Sequence, residues 1–97
     1  MYYILFYDVV DNYVEARQPY REEHLALGRA ARERGELFMG GAFAEPADGA
    51  MLVFAVDDPA IVRKFAEEDP YVKNGVVTKW RVRPWTVVLG SEAPAKV

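Results

Sequence analysis

The hydrophobic and polar positions along the first third of the chain predict a strand followed by a helix. Aromatic and β-branched residues dominate residues 2–10, which favours an extended strand. Pro19 suits the first turn of a helix, and Gly35 suits the left-handed position that follows a last turn. We predict residues 11–18 to be a loop and the helix to follow it, with one inward stripe at helical spacing, formed by Tyr20, His24, Leu27 and Ala31.

The middle of the chain predicts two strands joined by a turn. Residues 37–44 form the first of these strands, residues 45–49 have strong turn chemistry, and residues 50–56 are an apolar run typical of a buried strand. Gly40 and Gly41 interrupt the first strand without the lysine and following helix of a phosphate loop. We interpret the glycine pair as a bulge, or as a place where a ligand or backbone approaches closely.

The last third predicts a second helix and a fourth strand. Asp58 can cap the helix, with proline at the first helical position, and Pro70 ends it. After a turn at Asn74-Gly75, apolar and basic residues alternate from Thr78 onwards, which is a strand pattern. Because proline cannot donate to a sheet, this strand is expected to lie at an edge or to stop at Pro84.

The element order β-α-β-β-α-β predicts an α+β, ferredoxin-like domain with a four-stranded antiparallel sheet. We assign residues 1–90 to this single domain and residues 91–97 to a loose tail. The first and third strands are apolar on both faces, yet two helices cover only one face of the sheet. An exposed apolar face of this size usually marks an association surface, so a symmetric homodimer formed sheet to sheet is expected.

Composition and charge exclude several classes of protein. A net charge of −3 argues against nucleic-acid binding, which needs a concentrated basic surface. The chain has no cysteine, which excludes disulfides, thiolate metal sites and cysteine nucleophiles. No apolar run approaches the roughly 20 residues of a membrane helix, and the N-terminus has the pattern of a strand rather than a signal peptide. A cytoplasmic protein that does not bind membranes is the expectation.

The candidates for chemistry are few. Ser91, the only serine, lies in the expected loose tail, which argues against a serine–histidine triad. A lone histidine without cysteine leaves no transition-metal constellation, so no metal and no cofactor are predicted. His24 lies in the inward stripe, where it is either a core histidine satisfied by a neighbour or a general acid–base group. Asp69 is either a solvated acid at a helix end or a partner for a group on the other helix.

The two helices lie on the same face of the predicted sheet, so His24 and Asp69 could approach each other. Arg21 and Arg17 precede His24 by about one and two helical turns, and their positive charge would favour an anionic group on a ligand. The alternative is that both arginines are solvated and paired with nearby acids. The tyrosines and tryptophans are mainly core or interface residues, of which one or two could line an aromatic ligand pocket.

Several segments, in this order and spacing, resemble the YciI-like (YCII-related) family: Arg17-x-x-x-Arg21-x-x-His24-Leu25, Gly40-Gly41, Asp48-Gly49, Asp69-Pro70-Tyr71-Val72 with Gly75, and Pro84-Trp85. The resemblance implies a dimeric α/β-barrel of ferredoxin-like subunits, with an active-site dyad at His24 and Asp69. One branch of the family resembles a dehydrochlorinase of chlorinated hydroxyquinols. The wider superfamily includes muconolactone isomerases and monooxygenases that need no metal.

Two functional hypotheses follow. The first is a small acid–base enzyme of lyase or isomerase type, acting without metal on a small oxygenated, aromatic or lactone-like compound. His24 would move the proton, Asp69 would fix its tautomer, and the candidate substrate contacts are Arg21, Gly41 and Tyr71. The second is a non-catalytic ligand-binding or accessory module of a metabolic pathway. A haem-binding role, known elsewhere in the superfamily, has only a lone histidine in its favour.

Overall fold

The computed structural model describes residues 1–90 of the chain. The described residues form four strands, four α-helices and one 3₁₀ turn. The strands are β1 (Tyr2–Val9), β2 (Leu37–Ala42), β3 (Gly49–Ala55) and β4 (Val77–Trp85). The helices are α1 (Tyr13–Ala16), α2 (Arg21–Glu33), α3 (Pro59–Glu68) and α4 (Pro70–Lys73), and the 3₁₀ turn is Gln18–Tyr20. The expected loose tail, residues 91–97, lies outside the described residues.

The four strands form one antiparallel sheet in the order β2-β3-β1-β4. β1 occupies the centre, where Leu5 lies opposite Leu52 of β3 and Val82 of β4. The long helices α2 and α3 connect β1 to β2 and β3 to β4. The predicted α+β, ferredoxin-like fold is therefore confirmed.

The main core lies between the helices and the sheet. Leu5 and Phe54 from the central strands are fully buried, and Val62 of α3 is buried against the same cluster. The rings of Phe54 and Phe65 meet edge to face at 5.2 Å between centroids, a favoured aromatic geometry. This packing holds both long helices on one face of the sheet, which is the arrangement that could bring His24 and Asp69 together.

The ends of the two long helices follow from local chemistry. Gly35 adopts a φ of 78° after α2, and its N–H donates to the carbonyl of Arg32 at 2.9 Å. The N–H of Glu36 donates to Ala31, also at 2.9 Å, which completes a Schellman motif. Asp58 caps α3 by accepting from the N–H of Ala60 at 2.9 Å. Both predicted helix boundaries are confirmed.

The predicted loop at residues 11–18 is wrong in part, because α1 and the 3₁₀ turn occupy most of that segment. The cause is Tyr13, whose side chain is only 4% exposed and joins the core beneath the helices. One buried aromatic anchor holds an otherwise polar segment in a helical turn. The prediction for α2 holds better, since Pro19 lies in the 3₁₀ turn that leads directly into it.

Two strand details also differ from the sequence pattern. β4 does not stop at Pro84; it pairs Pro84 with Tyr3 and continues to Trp85. β4 lies at the sheet edge, as expected, and an edge tolerates a missing N–H on its open side. The irregularity of β2 lies between Leu37 and Met39, so of the two interpretations of the glycine pair, a bulge or a close approach, the bulge is wrong.

The other face of the sheet carries a smaller apolar cluster of its own. Tyr2, Ile4 and Val53 are buried there, with four partly buried neighbours, Phe6, Phe38, Met51 and Val87. We call these seven residues the outer apolar face. The prediction that the central strands are apolar on both sides is confirmed. Among residues 1–90, no helix is long and apolar enough to cross a membrane.

Candidate active site

The structure brings His24 and Asp69 into direct contact. His24 projects from the first turns of α2, and Asp69 lies at the junction of α3 and α4. Nδ1 of His24 lies 3.0 Å from Oδ1 and 2.9 Å from Oδ2 of Asp69. The pair joins two helices across the same face of the sheet, as the fold topology allowed.

Asp69 owes its position to the proline that follows it. Pro70 disfavours helical geometry at the preceding residue, and Asp69 is extended with φ −68° and ψ 122°. From there its Oδ1 caps α4 by accepting from the N–H of Tyr71 at 2.9 Å, while Oδ2 accepts from the hydroxyl of Tyr7 at 2.7 Å. Asp69 is fully buried, so these donors and His24 replace the water that a carboxylate needs.

The imidazole ring of His24 is held by stacking as well as by the carboxylate. It lies parallel to the ring of Tyr71, with centroids 3.8 Å apart and an interplanar angle of 6°. Since a carboxylate only accepts hydrogen bonds, Nδ1 carries the proton in this pair. The neutral ring then has its lone pair on Nε2, where it can accept a proton from a bound molecule. With its side chain 19% exposed, the ring is shielded but reachable.

Tyr7 supports the pair from the central strand. Burial raises the pKa of its hydroxyl well above the ordinary value of 10.0, and the charge of Asp69 and its hydrogen bond add to the rise. Tyr7 therefore keeps its proton at neutral pH and acts as a fixed donor to Asp69. The contact links β1 to the junction of α3 and α4, so the carboxylate has a single orientation.

A cavity of about 470 Å³ lies beside the pair. Its walls come from α2, the sheet and the short segments before α2 and after α3, and no acidic side chain of residues 1–90 lines it. The lining includes four arginines and three tyrosines: Arg17, Arg21, Arg29, Arg32, Tyr7, Tyr13 and Tyr71. Such a volume is that of a small-molecule site, and its charge suits an anionic or oxygen-rich ligand.

The residues singled out from the sequence meet around this cavity. His24, Arg21, Gly41 and Tyr71 line it, and Asp69 lies directly behind His24. A Cβ atom added at Gly41 would meet no atom within 4 Å, and the pairing with Met51 directs that position toward the outer apolar face, so Gly41 lines the cavity through its backbone. Contact between these predicted site residues and a ligand stays a prediction.

Two tyrosines of the site were not singled out from the sequence. Tyr7 carried a signal, since the alternation of β1 places it on the same face of the strand as Leu5, the face that the structure shows to be covered by the helices. The sequence gives no signal for Tyr13, because it lies in a polar segment. Its ring meets Tyr71 edge to face at 6.2 Å and lies 4.9 Å beneath the guanidinium of Arg17. Within residues 1–90, no group of three or more His, Cys, Asp or Glu side chains could hold a metal ion.

The fold and the cavity define a ferredoxin-like α+β domain with a cavity between helices and sheet. The family model of the YCII-related domain matches residues 1–86, and the chain belongs to that family. The resemblance seen in the sequence motifs is thereby confirmed.

The proteins similar to this chain include one curated relative and one solved structure. An uncharacterized protein of Haemophilus influenzae is 27% identical over 98 residues, covering 92% of this chain and 100% of that protein. The structure of 5-chloro-2-hydroxyhydroquinone dehydrochlorinase from Burkholderia phenoliruptrix AC1100, in complex with 2,5-dihydroxybenzoquinone, superposes with a TM-score of 0.75. The alignment covers 97% of this chain and 100% of the enzyme chain at 19% identity, a likeness of fold.

Proposed function

We propose that this protein is a small acid–base enzyme of lyase or isomerase type, acting on a small oxygenated, aromatic or lactone-like compound. The observation that carries the proposal is the contact between His24 and the buried Asp69 at the wall of a cavity of about 470 Å³. A structural neighbour that is a dehydrochlorinase in complex with a dihydroxybenzoquinone supports the substrate class.

In the proposed mechanism Nε2 of His24 takes a proton from a carbon or hydroxyl of the bound compound. The electron pair left behind forms a new double bond. In a lyase it expels a leaving group from the neighbouring atom, whereas in an isomerase the same proton returns to a different carbon. Asp69 stabilises the imidazolium that forms and keeps the ring in one orientation, while Arg21 holds an anionic group of the substrate.

The experiment that tests the proposal follows proton exchange in deuterated water. Hydroxyquinols, dihydroxybenzoquinones and unsaturated lactones are incubated with the protein, and loss of C–H signals or formation of product is followed by NMR. We expect His24→Ala to reduce the rate for any active compound by about 10²–10⁴-fold, the usual contribution of a general acid–base group.

Asp69→Asn should lower the same rate by disturbing the tautomer of His24. Tyr20→Phe is the matched control, since Tyr20 lies next to α2 but does not line the cavity. Turnover that persists unchanged in His24→Ala would contradict the proposed role.

One observation favours a second candidate, a non-catalytic ligand-binding or accessory module. Asp69 joins β1, α2 and α4 through Tyr7, His24 and the backbone of Tyr71, which is also what a structural tie would do. A structural pair predicts that His24→Ala and Asp69→Asn both lower the melting temperature. A catalytic pair is often retained at a cost in stability. A higher melting temperature in both variants would contradict the structural account.

We also propose that the protein is a homodimer joined through the outer apolar face, with a small molecule as its other partner and no nucleic acid. Tyr2, Ile4 and Val53 are already packed there, and their half-buried neighbours would gain cover from a second copy. A cytoplasmic location stays a prediction.

A further inference from the structure

Two buried polar atoms beside the cavity have no hydrogen-bond partner. Among residues 1–90, the side-chain nitrogen and oxygen atoms in this state are Nε of Arg17 and the hydroxyl oxygen of Tyr71. Tyr71 is only 1% exposed, and both residues line the cavity beside His24. Buried polar groups in folded proteins nearly always have a partner, and either an ordered water or a polar group of a ligand in the cavity can supply the one that these two atoms lack.

Both unpaired groups are donors. Burial raises the pKa of Tyr71, and the neighbouring Tyr13 adds to the rise, while Arg21 and Arg17 act in the opposite direction. The net shift is upwards, so the hydroxyl keeps its proton and can donate it. Arg21 lowers the pKa of this hydroxyl through a side-chain hydrogen-bond interaction and through its charge, but a guanidinium only donates, so the hydroxyl proton itself has no acceptor within the described residues.

The donors are also held in place. The ring of Tyr71 is fixed by its parallel stack on His24 and its edge contact with Tyr13. The guanidinium of Arg17 lies over the Tyr13 ring. A donor set that is already oriented before binding loses little conformational entropy when a ligand arrives. By contrast, Arg32, farther along the same cavity, already donates to the carbonyl of Phe38.

We infer that Arg17, Arg21 and Tyr71 form a carboxylate-binding subsite, and that the natural substrate is a ring compound that carries a carboxylate. A planar carboxylate accepts from guanidinium and hydroxyl donors at once, and the described part of the chain places no acidic residue in the cavity wall to repel it. The stacked rings of Tyr71 and His24 place this subsite next to the proposed proton-transfer group. That the bound compound is a substrate rests on the proposed function, whereas the preference for a carboxylate rests on these contacts alone.

The test compares two probes that differ by one carboxylate, 2,5-dihydroxybenzoate and hydroquinone. Their dissociation constants are measured by calorimetry or by NMR titration of the wild-type protein at neutral pH. We expect the carboxylate probe to bind at least about tenfold more tightly. Tyr71→Phe and Arg17→Gln should each weaken its binding by about tenfold, the loss of one hydrogen bond to a charged group, and should weaken hydroquinone binding much less, so that the preference for the carboxylate probe falls.

Matched controls lie outside the cavity. Tyr20→Phe removes a hydroxyl near α2, and Arg63→Gln removes an exposed positive charge from α3, so neither should change the preference. Tyr71→Phe keeps the ring and its stacking, and a thermal melt of each variant checks the fold. Equal binding of the two probes overturns the inference. The same holds if the carboxylate probe does not bind at millimolar concentration, or if both site variants keep the wild-type preference.

Failure of the inference is separable from failure of the proposed function, because the binding experiment needs no turnover. A carboxylate preference without proton exchange on any compound would leave the subsite intact and remove the enzyme proposal. Proton exchange on neutral compounds without a carboxylate preference would leave the enzyme proposal intact and remove the subsite.

Discussion

Asp69 sets the geometry of the site at the scale of single residues. Its carboxylate accepts hydrogen bonds from three separate parts of the fold: the hydroxyl of Tyr7, the ring of His24 and the N–H of Tyr71. A buried carboxylate is costly unless such donors replace its water, and their directions then restrict where it can point. His24 is oriented as a consequence, since it both bonds to Asp69 and stacks on Tyr71.

At the same scale, Tyr7 should make the protein less stable in alkaline solution. Its pKa is raised in the folded state, so above about pH 10 the unfolded chain releases this proton while the folded protein retains it. Ionisation therefore favours unfolding, and the free energy of unfolding should fall as pH rises, by up to about 1.4 kcal/mol per pH unit for this one group.

Tyr7→Phe tests this expectation in urea melts at several pH values. At neutral pH the variant should be less stable by about 1.5–3 kcal/mol, because a hydrogen bond to a charged group is lost. Above about pH 10 the gap to the wild type should narrow, since the variant no longer carries that proton. A gap that stays constant through the alkaline range would contradict the role assigned to burial.

At the scale of elements, β2 shows how the strands shape the cavity. The two adjacent glycines differ in their surroundings, although both line the cavity. A Cβ at Gly40 would lie 3.1 Å from Cγ of Leu52 on β3, whereas a Cβ at Gly41 would meet nothing within 4 Å. The first glycine leaves room for the Leu52 side chain on the cavity side of the sheet, whereas the second, opposite Met51, faces the outer apolar face.

This difference predicts that alanine at the two neighbouring positions affects the free energy of unfolding differently. Gly40→Ala should lower the free energy of unfolding by about 1 kcal/mol or more, because the added methyl crowds Leu52. Gly41→Ala should leave stability unchanged or slightly improved, since alanine loses less backbone entropy than glycine. Denaturant melts of both variants check this, and equal destabilisation would show that the crowding at Gly40 is relieved without cost.

At the scale of the whole molecule, the outer apolar face predicts assembly. We expect the wild-type protein to sediment at twice the 11.0 kDa mass of one chain. Phe6→Glu should produce monomers, because Phe6 is a half-buried residue of that face and a second copy could cover it only by taking the new carboxylate and the neighbouring Arg81 out of water.

Val14→Glu is the control for this experiment, since Val14 is an exposed apolar residue of α1 outside the outer apolar face. It should leave the mass unchanged. A wild-type protein that sediments as a single chain, or a Phe6→Glu variant that stays dimeric, would contradict assembly through this face.

The sequence by itself determined the order of the main elements, the end of α2 and the start of α3. Gly35 after α2 and Asp58 before α3 act within a few residues of their own position, through backbone conformation and caps. The alternation of β1 likewise placed Leu5 and Tyr7 on one face of the strand. Such preferences are local, so they can be read in a single chain without knowing how it folds.

The tertiary structure alone decided which side chains meet. Tyr7 and Asp69 are 62 positions apart, and His24 and Asp69 are 45 apart, so no local preference could pair them. The burial of Tyr13, which turned a predicted loop into α1, also depends on a core assembled from distant segments. The site consists of long-range contacts, and their distances and directions are set only when the helices pack on the sheet.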